Sequence, residues 1–197
     1  TMPSASAATI KKILEICKQT DCKLKRLPGM YQFINGQLTA TQLKDVEYID
    51  LLGREPINVD LNPVFMSLTD KTVLITGGGG SIGSELCRQI AASKVVRRLI
   101  ILDIAENGAY DVQQELKGRY PELDLVVLIG SVRDEGRLDE VFSEYRPDII
   151  YHAAAHKHVP LMETSPKEAV KNNIFGTLHL AQAADRYDAE RFVMIST

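Results

Sequence analysis

The amino-acid sequence predicts an α/β fold in which a doubly wound parallel sheet is covered by helices. From position 71 onward, short apolar segments rich in β-branched residues alternate with segments of helical periodicity. That alternation is typical of a parallel sheet that is buried on both faces. A glycine-rich run at 76–83 separates the first of these strands from the first helix. With 45% hydrophobic and 25% charged residues, the 197-residue chain can bury a sizeable core.

Five strands and four helices are predicted in this region. The strands are predicted at 72–76, 98–103, 124–130, 148–152 and 191–196, and the helices at 81–93, 106–119, 134–145 and 166–187. Asp134 is a candidate N-cap for the third helix. Ser165, Pro166 and Glu168 predict a capping box at the start of the fourth helix. Before that helix, the residues up to Pro160 are predicted to form a loop.

Residues 1–70 predict a different organisation. A helix capped by Ser6 and a short strand from Cys22 to Leu27 cannot bury a core alone, so residues 1–27 are interpreted as the tail of a preceding domain. Turn signals such as Asn62-Pro63 indicate a linker over 28–70, with one edge strand within 46–52. Residues 71–197 form the main domain. The chain ends at the carboxyl end of the fifth predicted strand, where open α/β sheets bind ligands, so we expect it to be a fragment of a longer protein.

Composition argues against several classes of function. A net charge of −3 and a pI near 5.8 argue against a nucleic-acid partner held by bulk charge. No signal peptide is recognisable, and no apolar run approaches the roughly 20 residues that a membrane-spanning helix needs. Cys17, Cys22 and Cys87 lack the spacing of metal or redox sites, which indicates a reduced compartment. Cys87 is predicted to lie in the core.

The glycines of the loop, Gly77, Gly80 and Gly83, are spaced three residues apart between a strand and a helix. Glycine allows the backbone to turn sharply and to approach a phosphate, while free N–H groups of the first helical turn supply an anion site. The loop, with Ser81 and Ile82, is therefore interpreted as the site for a dinucleotide pyrophosphate. The alternative is a purely structural turn.

Asp103 closes the second predicted strand. A carboxylate at this place can accept hydrogen bonds from the hydroxyl groups of the adenosine ribose. A 2′-phosphate would meet a like charge there, and no Arg or Lys occurs in the next four residues. NAD is therefore favoured over NADP as the cofactor. The alternative is that Asp103 only caps the following helix.

His152 ends the fourth predicted strand, and small residues follow it. Their size allows the chain to pass close beneath a flat cofactor; they are Ala153, Ala154 and Ala155. His156 and His158 complete an H-x-x-x-H-x-H pattern, but the run crosses from strand to loop, so a metal site is not favoured. Lys157 is interpreted as a contact for an anionic substrate, with a solvated basic loop as the alternative.

Asn172, Asn173 and Gly176 lie inside the fourth predicted helix. Each is less favourable there than alanine, by roughly 0.5–1 kcal/mol. Such residues are tolerated when a side-chain amide bridges helix and strand, or when close packing leaves no room for a Cβ. An asparagine that faces the active-site edge is the functional alternative.

Together these residues resemble the extended short-chain dehydrogenase/reductase superfamily. Within it, they are most similar to the membrane-anchored nucleotide-sugar 4,6-dehydratases of bacterial capsule, O-antigen and glycan biosynthesis. The resemblance covers essentially the whole chain and is carried by segments 50–56, 76–85, 129–134, 152–163 and 170–177. It implies that 71–197 form an NAD-binding Rossmann domain, and that 1–27 look like the end of the Rossmann-like domain that precedes it in these proteins.

The resemblance implies a lyase that holds NAD tightly and acts on a UDP-sugar of the UDP-N-acetylglucosamine type. In such enzymes C4 of the sugar is oxidised by hydride transfer, water is lost across C5 and C6, and the hydride returns to C6, giving a 4-keto-6-deoxy sugar. The alternatives are a nucleotide-sugar 4-epimerase and a non-catalytic NAD-binding module. A longer protein at the bacterial inner membrane is implied, anchored through a region before this chain, with this soluble part on the cytoplasmic side and homo-oligomerisation left open.

The resemblance also assigns roles to individual residues. The pyrophosphate would be cradled by Gly77, Gly80, Ser81, Ile82 and Gly83, and the cofactor would further contact Asp103, Ser131, Val132, Ala153, Ala154, Ala155 and Asn172 or Asn173. Lys157, Ser196 and Thr197 would meet the substrate, and Thr197 would begin the catalytic set. Many members of the superfamily have Asp where Ser131 stands, so a side-chain contact with adenine is less secure. The remaining catalytic residues would follow Thr197, so this chain is expected to bind the cofactor without turnover.

Overall fold

The computed structural model describes residues 59–196, together with the separate positions 16, 25, 26, 44 and 45. The chain divides into two compact units, Thr1–Val59 and Asp60–Thr197. In the first unit, β1 (Lys25–Arg26) pairs with β2 (Lys44–Asp45) in antiparallel orientation, and position 16 is helical. β1 lies inside the strand predicted at 22–27. The predicted cap at Ser6 and the edge strand at 46–52 lie outside the described residues.

The second unit alternates helices and strands throughout. Its first elements are α1 (Asn62–Ser67), β3 (Thr72–Thr76), α2 (Ser81–Ser93), β4 (Arg98–Asp103), α3 (Glu106–Arg119) and β5 (Leu125–Ile129). They are followed by α4 (Glu135–Tyr145), β6 (Ile149–His152), α5 (Val159–Thr164), α6 (Pro166–Ala169), a π-helix (Val170–Gly176), α7 (Thr177–Arg186) and β7 (Arg191–Met194).

Five parallel strands of this unit form one sheet in the order β5-β4-β3-β6-β7. The chain runs outward from β3 to β5, and then returns to the other side of β3 to build β6 and β7. The strand order therefore reverses between β3 and β6, and the carboxyl ends of these two strands flank a crevice of the kind in which open α/β sheets bind ligands. The predicted doubly wound parallel sheet of Rossmann type is confirmed.

The sheet is buried on both faces because alternate residues of each strand pack against different helices. On one face, Ile75 of β3 belongs to a cluster that includes Cys87 of α2. On the other face, Leu74 packs in a cluster with Phe142 of α4 and Leu180 of α7. All five side chains are fully buried. This arrangement leaves the ends of the strands, and not their faces, to form a ligand site.

The predicted strands agree closely with the observed ones. β3 and β4 have the predicted limits, and the other three strands are shorter than predicted by one or two residues. α2 and α3 also have the predicted limits. α4 begins after Asp134, whose carboxylate accepts a hydrogen bond from the backbone N–H of Arg137 at 3.0 Å. The predicted N-cap is confirmed.

Two short helices occur where the sequence predicts turns. Asn62-Pro63, inside the predicted linker, begins α1. The loop predicted up to Pro160 is wrong at its end, because α5 already begins at Val159, with His158 before it. In both helices the proline lies in the first turn, where a missing N–H breaks no hydrogen bond. These prolines therefore mark the beginnings of helices.

The helix predicted at 166–187 is divided into α6, the π-helix and α7. Pro166 begins α6 as predicted, but the predicted capping box is wrong, because the side chain of Ser165 makes no cap hydrogen bond. The Glu168 carboxylate instead contacts Arg133 at 2.7 Å and Lys171 at 2.9 Å. Two ion-pair partners hold this carboxylate away from the start of the helix.

Lys94 follows α2 in the left-handed conformation, with a φ of 56°. A side chain in this conformation costs roughly 1–2 kcal/mol, which glycine avoids. We expect Lys94→Gly to raise the free energy of unfolding by roughly 0.5–1 kcal/mol, because the flexibility of glycine in the unfolded chain offsets part of the gain. Urea denaturation followed by circular dichroism measures the change.

Arg146 provides the matched control for this prediction. It follows α4 with a φ of 46°, and its guanidinium lies 4.7 Å from the centre of the Tyr187 ring. Arg146→Gly relieves the same strain but removes a cation–π interaction of roughly 0.5–1 kcal/mol, so we expect little net change in stability. Equal stabilisation by Lys94→Gly and Arg146→Gly would contradict this account.

Candidate functional site

A tight glycine loop joins β3 to α2 at the crevice. Gly77 has a φ of 71°, a left-handed conformation that glycine adopts without strain. Its N–H donates to the carbonyl of Leu102 in β4 at 2.9 Å, and its own carbonyl accepts from the N–H of Gly80 at 3.0 Å. The loop is therefore a closed turn that leads directly into α2 at Ser81.

The N-terminus of α2 faces the crevice without a side-chain cap. Gly80 precedes the helix, and no side chain accepts a cap hydrogen bond there. The backbone N–H groups of Ser81, Ile82 and Gly83 lie in the first turn, where intrahelical partners are lacking. Ser81 and Ile82 are exposed. These N–H groups and the positive end of the helix dipole can hold a phosphate.

Close packing leaves no room for a side chain at two of the three predicted glycines. A Cβ on Gly83 would lie 2.0 Å from the carbonyl oxygen of Gly77. A Cβ on Gly77 would lie 2.8 Å from the carbonyl group of Ala153 and from Cα of Ala154. On Gly80 it would meet the Gly77 oxygen at a milder 3.2 Å. The geometry thus explains why the loop carries glycine at 77 and 83.

Asp103 lies at the end of β4 beside the glycine loop, as predicted. The residue is only 8% exposed, and one carboxylate oxygen accepts the N–H of Gly79 at 2.7 Å while the other accepts the N–H of Ala105 at 2.8 Å. Ala105 is the N-cap residue of α3, and Asp103 binds the glycine loop as well as this residue, so its contacts extend beyond the following helix. Each carboxylate oxygen retains a lone pair that can accept a hydroxyl group of a ribose.

The segment after β6 passes over the glycine loop. The Ala153 N–H donates to the carbonyl of Thr76 at 3.0 Å. Ala153 and Ala154 are half-buried, whereas Ala155 is exposed. Further along, Nζ of Lys157 lies 3.3 Å from Oγ of Ser81, at the start of α2. The ammonium group of Lys157 therefore lies next to the exposed N–H groups of the helix.

Asn172 and Asn173 hold this segment from the π-helix. Asn173 accepts the N–H of His156 and donates to its carbonyl, both at 2.9 Å. Asn172 donates to the carbonyl of Ala154 at 3.2 Å and to Oδ1 of Asn173 at 3.0 Å. The side-chain amides thus form a bridge, but it joins the π-helix to the segment after β6 and not to a strand. Short π-helices occur often at functional sites.

His152 is buried below the crevice, with 3% of its surface exposed. Its Nδ1 lies 2.7 Å from Oγ1 of Thr76, and its Nε2 lies 2.8 Å from Oγ1 of Thr177. Burial lowers the pKa of His152 below its ordinary value, so the neutral ring is favoured. In the part of the chain that the structure describes, no three His, Cys, Asp or Glu side chains gather as a metal ion would require.

The lowered pKa of His152 predicts a loss of stability at acidic pH. Below the ordinary value of 6.5, the unfolded chain takes up a proton at this ring that the folded chain does not. The free energy of unfolding should therefore fall as the pH falls from about 6.5 toward the folded-state pKa. Above about pH 6.5, His152 should make no contribution to the pH dependence of stability. Urea denaturation at about pH 7.5 and about pH 5.5 measures it.

Two variants test the source of this pH dependence. His152→Gln should lose part of the pH dependence, because its side chain does not titrate. His156→Gln changes an exposed ring and should keep the wild-type behaviour. An unchanged pH dependence in His152→Gln would show that another group is responsible.

Ser131 and Val132 follow β5 and lie near Asp103. The N–H of Gly130 donates to the carbonyl of Asp103 at 2.9 Å, and Oγ of Ser131 accepts the N–H of Arg133 at 3.2 Å. Val132 is buried against the π-helix, where a Cβ on Gly176 would lie 2.8 Å from its Cγ2. The close packing predicted for Gly176 is confirmed. The contact of residues 131 and 132 with adenine stays a prediction.

Of the remaining predicted residues, the structure describes Ser196 and Cys87. Ser196 follows β7 and is exposed, while Thr197 lies outside the described residues. Cys87 is fully buried in α2, and burial raises its pKa to about 12, so the predicted core position is confirmed. Cys17 and Cys22 lie outside the described residues. Within 59–196, the helices are all too short or too polar to cross a membrane.

Gly108 is a site residue that the sequence analysis missed. A Cβ on Gly108 would lie 2.8 Å from the carbonyl oxygen of Gly79, so the start of α3 packs directly on the loop. The signal was an Asn-Gly pair at 107–108 inside a predicted helix. Nothing in the sequence marks Thr76 and Thr177 as the partners of His152, because the two threonines belong to β3 and α7 while the histidine belongs to β6.

The family model described as "Polysaccharide biosynthesis protein" matches residues 73–197. The chain is 42% identical over 197 residues to the capsular polysaccharide biosynthesis protein CapD of Staphylococcus aureus. This match covers 100% of this chain and 33% of that protein. It is also 34% identical over 140 residues to the dTDP-glucose 4,6-dehydratase of Neisseria gonorrhoeae. That match covers 64% of this chain and 38% of the dehydratase. The chain thus spans about a third of the length of these relatives.

Among solved structures, the fold is similar to that of a UDP-glucose 4-epimerase from Stenotrophomonas maltophila with bound NAD and formylated UDP-arabinopyranose. The TM-score is 0.59 at 26% sequence identity, and the match covers 64% of this chain and 37% of that chain. The family model, for its part, extends over β3 to β7 and therefore includes the glycine loop, Asp103 and the segment after β6. The chain therefore belongs to the polysaccharide biosynthesis protein family.

Proposed function

We propose that the chain is the NAD-binding portion of a nucleotide-sugar 4,6-dehydratase that serves bacterial surface polysaccharide biosynthesis. The observation that carries the proposal is the Asp103 carboxylate at the end of β4, which lies 2.7 Å from the backbone nitrogen of Gly79 in the glycine loop. This loop follows β3, the strand beside which the strand order reverses. The similarity to CapD supports a role in polysaccharide synthesis, and the similarity to a dTDP-glucose 4,6-dehydratase supports the lyase chemistry.

The residues at the crevice fit a dinucleotide. Positions 77 and 83 have no room for a Cβ, so the loop backbone itself forms the floor of the phosphate site. The uncapped first turn of α2 supplies N–H donors to the pyrophosphate. Lys157, which the resemblance assigns to the substrate, lies beside this turn and is proposed to add a positive charge there. Asp103 supplies acceptors for the ribose hydroxyls and disfavours a 2′-phosphate by its charge. NAD is therefore the proposed cofactor in preference to NADP.

Each part of the site has a separate task in the proposed reaction. When bound, NAD supplies the hydride acceptor for the alcohol of the sugar. The chain binds and orients this cofactor, since the loop and α2 hold its phosphates while the segment Ala153–Ala155 borders its flat ring with small side chains. Ser196 and Thr197, after β7, are proposed to contact the UDP-sugar. The acid and base that remove water are proposed to lie in the longer protein.

Two measurements test the proposal. Titration calorimetry of the chain with NAD and NADP should show binding of NAD and weaker binding of NADP. The longer protein that contains this chain should convert UDP-N-acetylglucosamine into a 4-keto-6-deoxy product, which mass spectrometry detects as the loss of one water. A product of unchanged mass that is inverted at C4 would instead establish the 4-epimerase, the activity named for the similar solved structure. Absence of NAD binding would overturn the cofactor assignment.

We also propose how the chain fits into that longer protein. Residues 1–27 would end a preceding Rossmann-like domain, 28–70 would link it to the NAD-binding domain, and 71–197 would be the first part of that domain. The longer protein would be anchored in the bacterial inner membrane through the region before this chain, with the NAD site on the cytoplasmic side. The support for this arrangement is the family resemblance together with the span of about a third of the relatives.

A further inference from the structure

The segment that carries Lys157 to the phosphate site has no regular secondary structure. Residues 153–158 lie between the end of β6 and the start of α5. Nζ of Lys157 nevertheless lies 3.3 Å from Oγ of Ser81, the first residue of α2. A lysine side chain is flexible, so the place of its ammonium group depends on how firmly the neighbouring backbone is held. The contacts that hold this backbone therefore bear on the charge at the phosphate site.

Asn173 of the π-helix holds that backbone at the residue next to Lys157. Its Oδ1 accepts the N–H of His156 and its Nδ2 donates to the carbonyl of His156, both at 2.9 Å. Asn172 adds a third bond to the segment, from its Nδ2 to the carbonyl of Ala154 at 3.2 Å. Oδ1 of Asn173 also accepts Nδ2 of Asn172 at 3.0 Å, which fixes the orientation of both amides.

We infer that Asn173 is a positioning residue, which fixes the backbone at His156 and thereby places the Lys157 ammonium group over the phosphates of the bound dinucleotide. The inference rests on the proposed function, since it requires a dinucleotide at the glycine loop. It differs from the role that the resemblance implies, in which Asn172 or Asn173 borders the region below the nicotinamide. Here the side-chain oxygen accepts two hydrogen bonds and the nitrogen donates one, all within the protein.

The two roles of Asn173 predict different results with ADP, which has the phosphates but no nicotinamide. A direct contact with nicotinamide would affect NAD binding alone. The positioning role predicts that Asn173→Ala weakens NAD and ADP alike, by about ten-fold, because a charge-assisted contact with phosphate is lost. Lys157→Met should have the same effect, and Lys167→Met on α6 should leave both dissociation constants unchanged. An effect of Asn173→Ala on NAD alone would overturn the inference.

The double variant Asn173→Ala with Lys157→Met measures whether the two side chains act through one another. If Asn173 acts by placing Lys157, the double variant should bind NAD no more weakly than Lys157→Met does. Independent effects would multiply to about a hundred-fold and would overturn the inference. The dissociation constant should also depend less steeply on salt concentration in both single variants, because salt screens the contact between ammonium and phosphate. If the dissociation constant of Asn173→Ala depended on salt as steeply as that of the wild type, the role of Asn173 would be merely structural. That result would also overturn the inference.

Separate controls are needed for folding and for ligand binding. Thermal unfolding checks each variant, and Asn173→Ser, which is too short for both bonds to His156, replaces Asn173→Ala if the latter does not fold. A wild-type chain that binds neither NAD nor ADP would overturn the proposed function and this inference together. Binding of both ligands with independent or NAD-specific effects would overturn this inference alone.

Discussion

Gly83→Ala is expected to abolish detectable binding of NAD. The added methyl group would lie 2.0 Å from the carbonyl oxygen of Gly77, and backbone atoms of Gly77 and Gly78 lie within 2.8 Å. No side chain can move aside to relieve this clash, so the loop must shift away from the first turn of α2. We expect the NAD affinity to fall by at least about 100-fold, and the free energy of unfolding to fall by roughly 1–3 kcal/mol. Calorimetry and urea denaturation measure the two effects.

Gly118→Ala is the matched control, because a Cβ there would meet nothing within 4 Å. It lies in α3, where alanine is the better helix former, so stability should rise by roughly 0.5–1 kcal/mol while NAD binding stays unchanged. Gly80→Ala, with a contact of 3.2 Å, should be intermediate. Binding of NAD by a folded Gly83→Ala variant at wild-type affinity would show that the phosphates lie elsewhere.

Asp103→Asn is expected to weaken NAD binding by about 10- to 100-fold and to reduce the preference of the site for NAD over NADP. The neutral amide loses the charge-assisted acceptance of ribose hydroxyls. It also offers a single oxygen where the carboxylate serves the N–H groups of both Gly79 and Ala105. A 2′-phosphate, in contrast, no longer meets a negative charge. The ratio of the dissociation constants for NAD and NADP, measured by calorimetry, reports the change in specificity.

Asp124→Asn is the control for the charge itself. Asp124 is exposed, precedes β5 and pairs with Arg98 at 2.7 Å, at the end of the sheet opposite the crevice. Its substitution should leave both dissociation constants unchanged. If the NAD-to-NADP ratio were the same in Asp103→Asn as in the wild type, the carboxylate would not select between the two cofactors.

Much of the sheet and the phosphate loop could be predicted because their signals are local. The alternation of strand and helix, the glycines at 77–83 and Asp103 at a strand end each require only a short stretch of sequence. Two of the predictions that were wrong concern local signals with two physical outcomes. Pro63 and Pro160 break a helix in its interior but fit its first turn, and only the surrounding structure decides between these outcomes.

Contacts between distant elements could not be predicted. Asn172 and Asn173 were recognisable as unfavourable in a helix, but their partners in the segment after β6 depend on how the π-helix packs. The same holds for Glu168, since Arg133 reaches it from the loop after β5. Such pairings arise from tertiary packing, which periodicity and motif spacing do not encode.

The position of β3 has a consequence for the lifetime of the site. β3 has a parallel partner along each side, β4 and β6, and all five of its residues are buried. Backbone in such a place exchanges with solvent only when the whole domain opens, whereas irregular segments open far more often. The glycine loop continues directly from this strand, while the segment at 153–158 is held largely by side chains. The segment over the site is therefore expected to open more often than the phosphate loop, which persists as long as the fold itself.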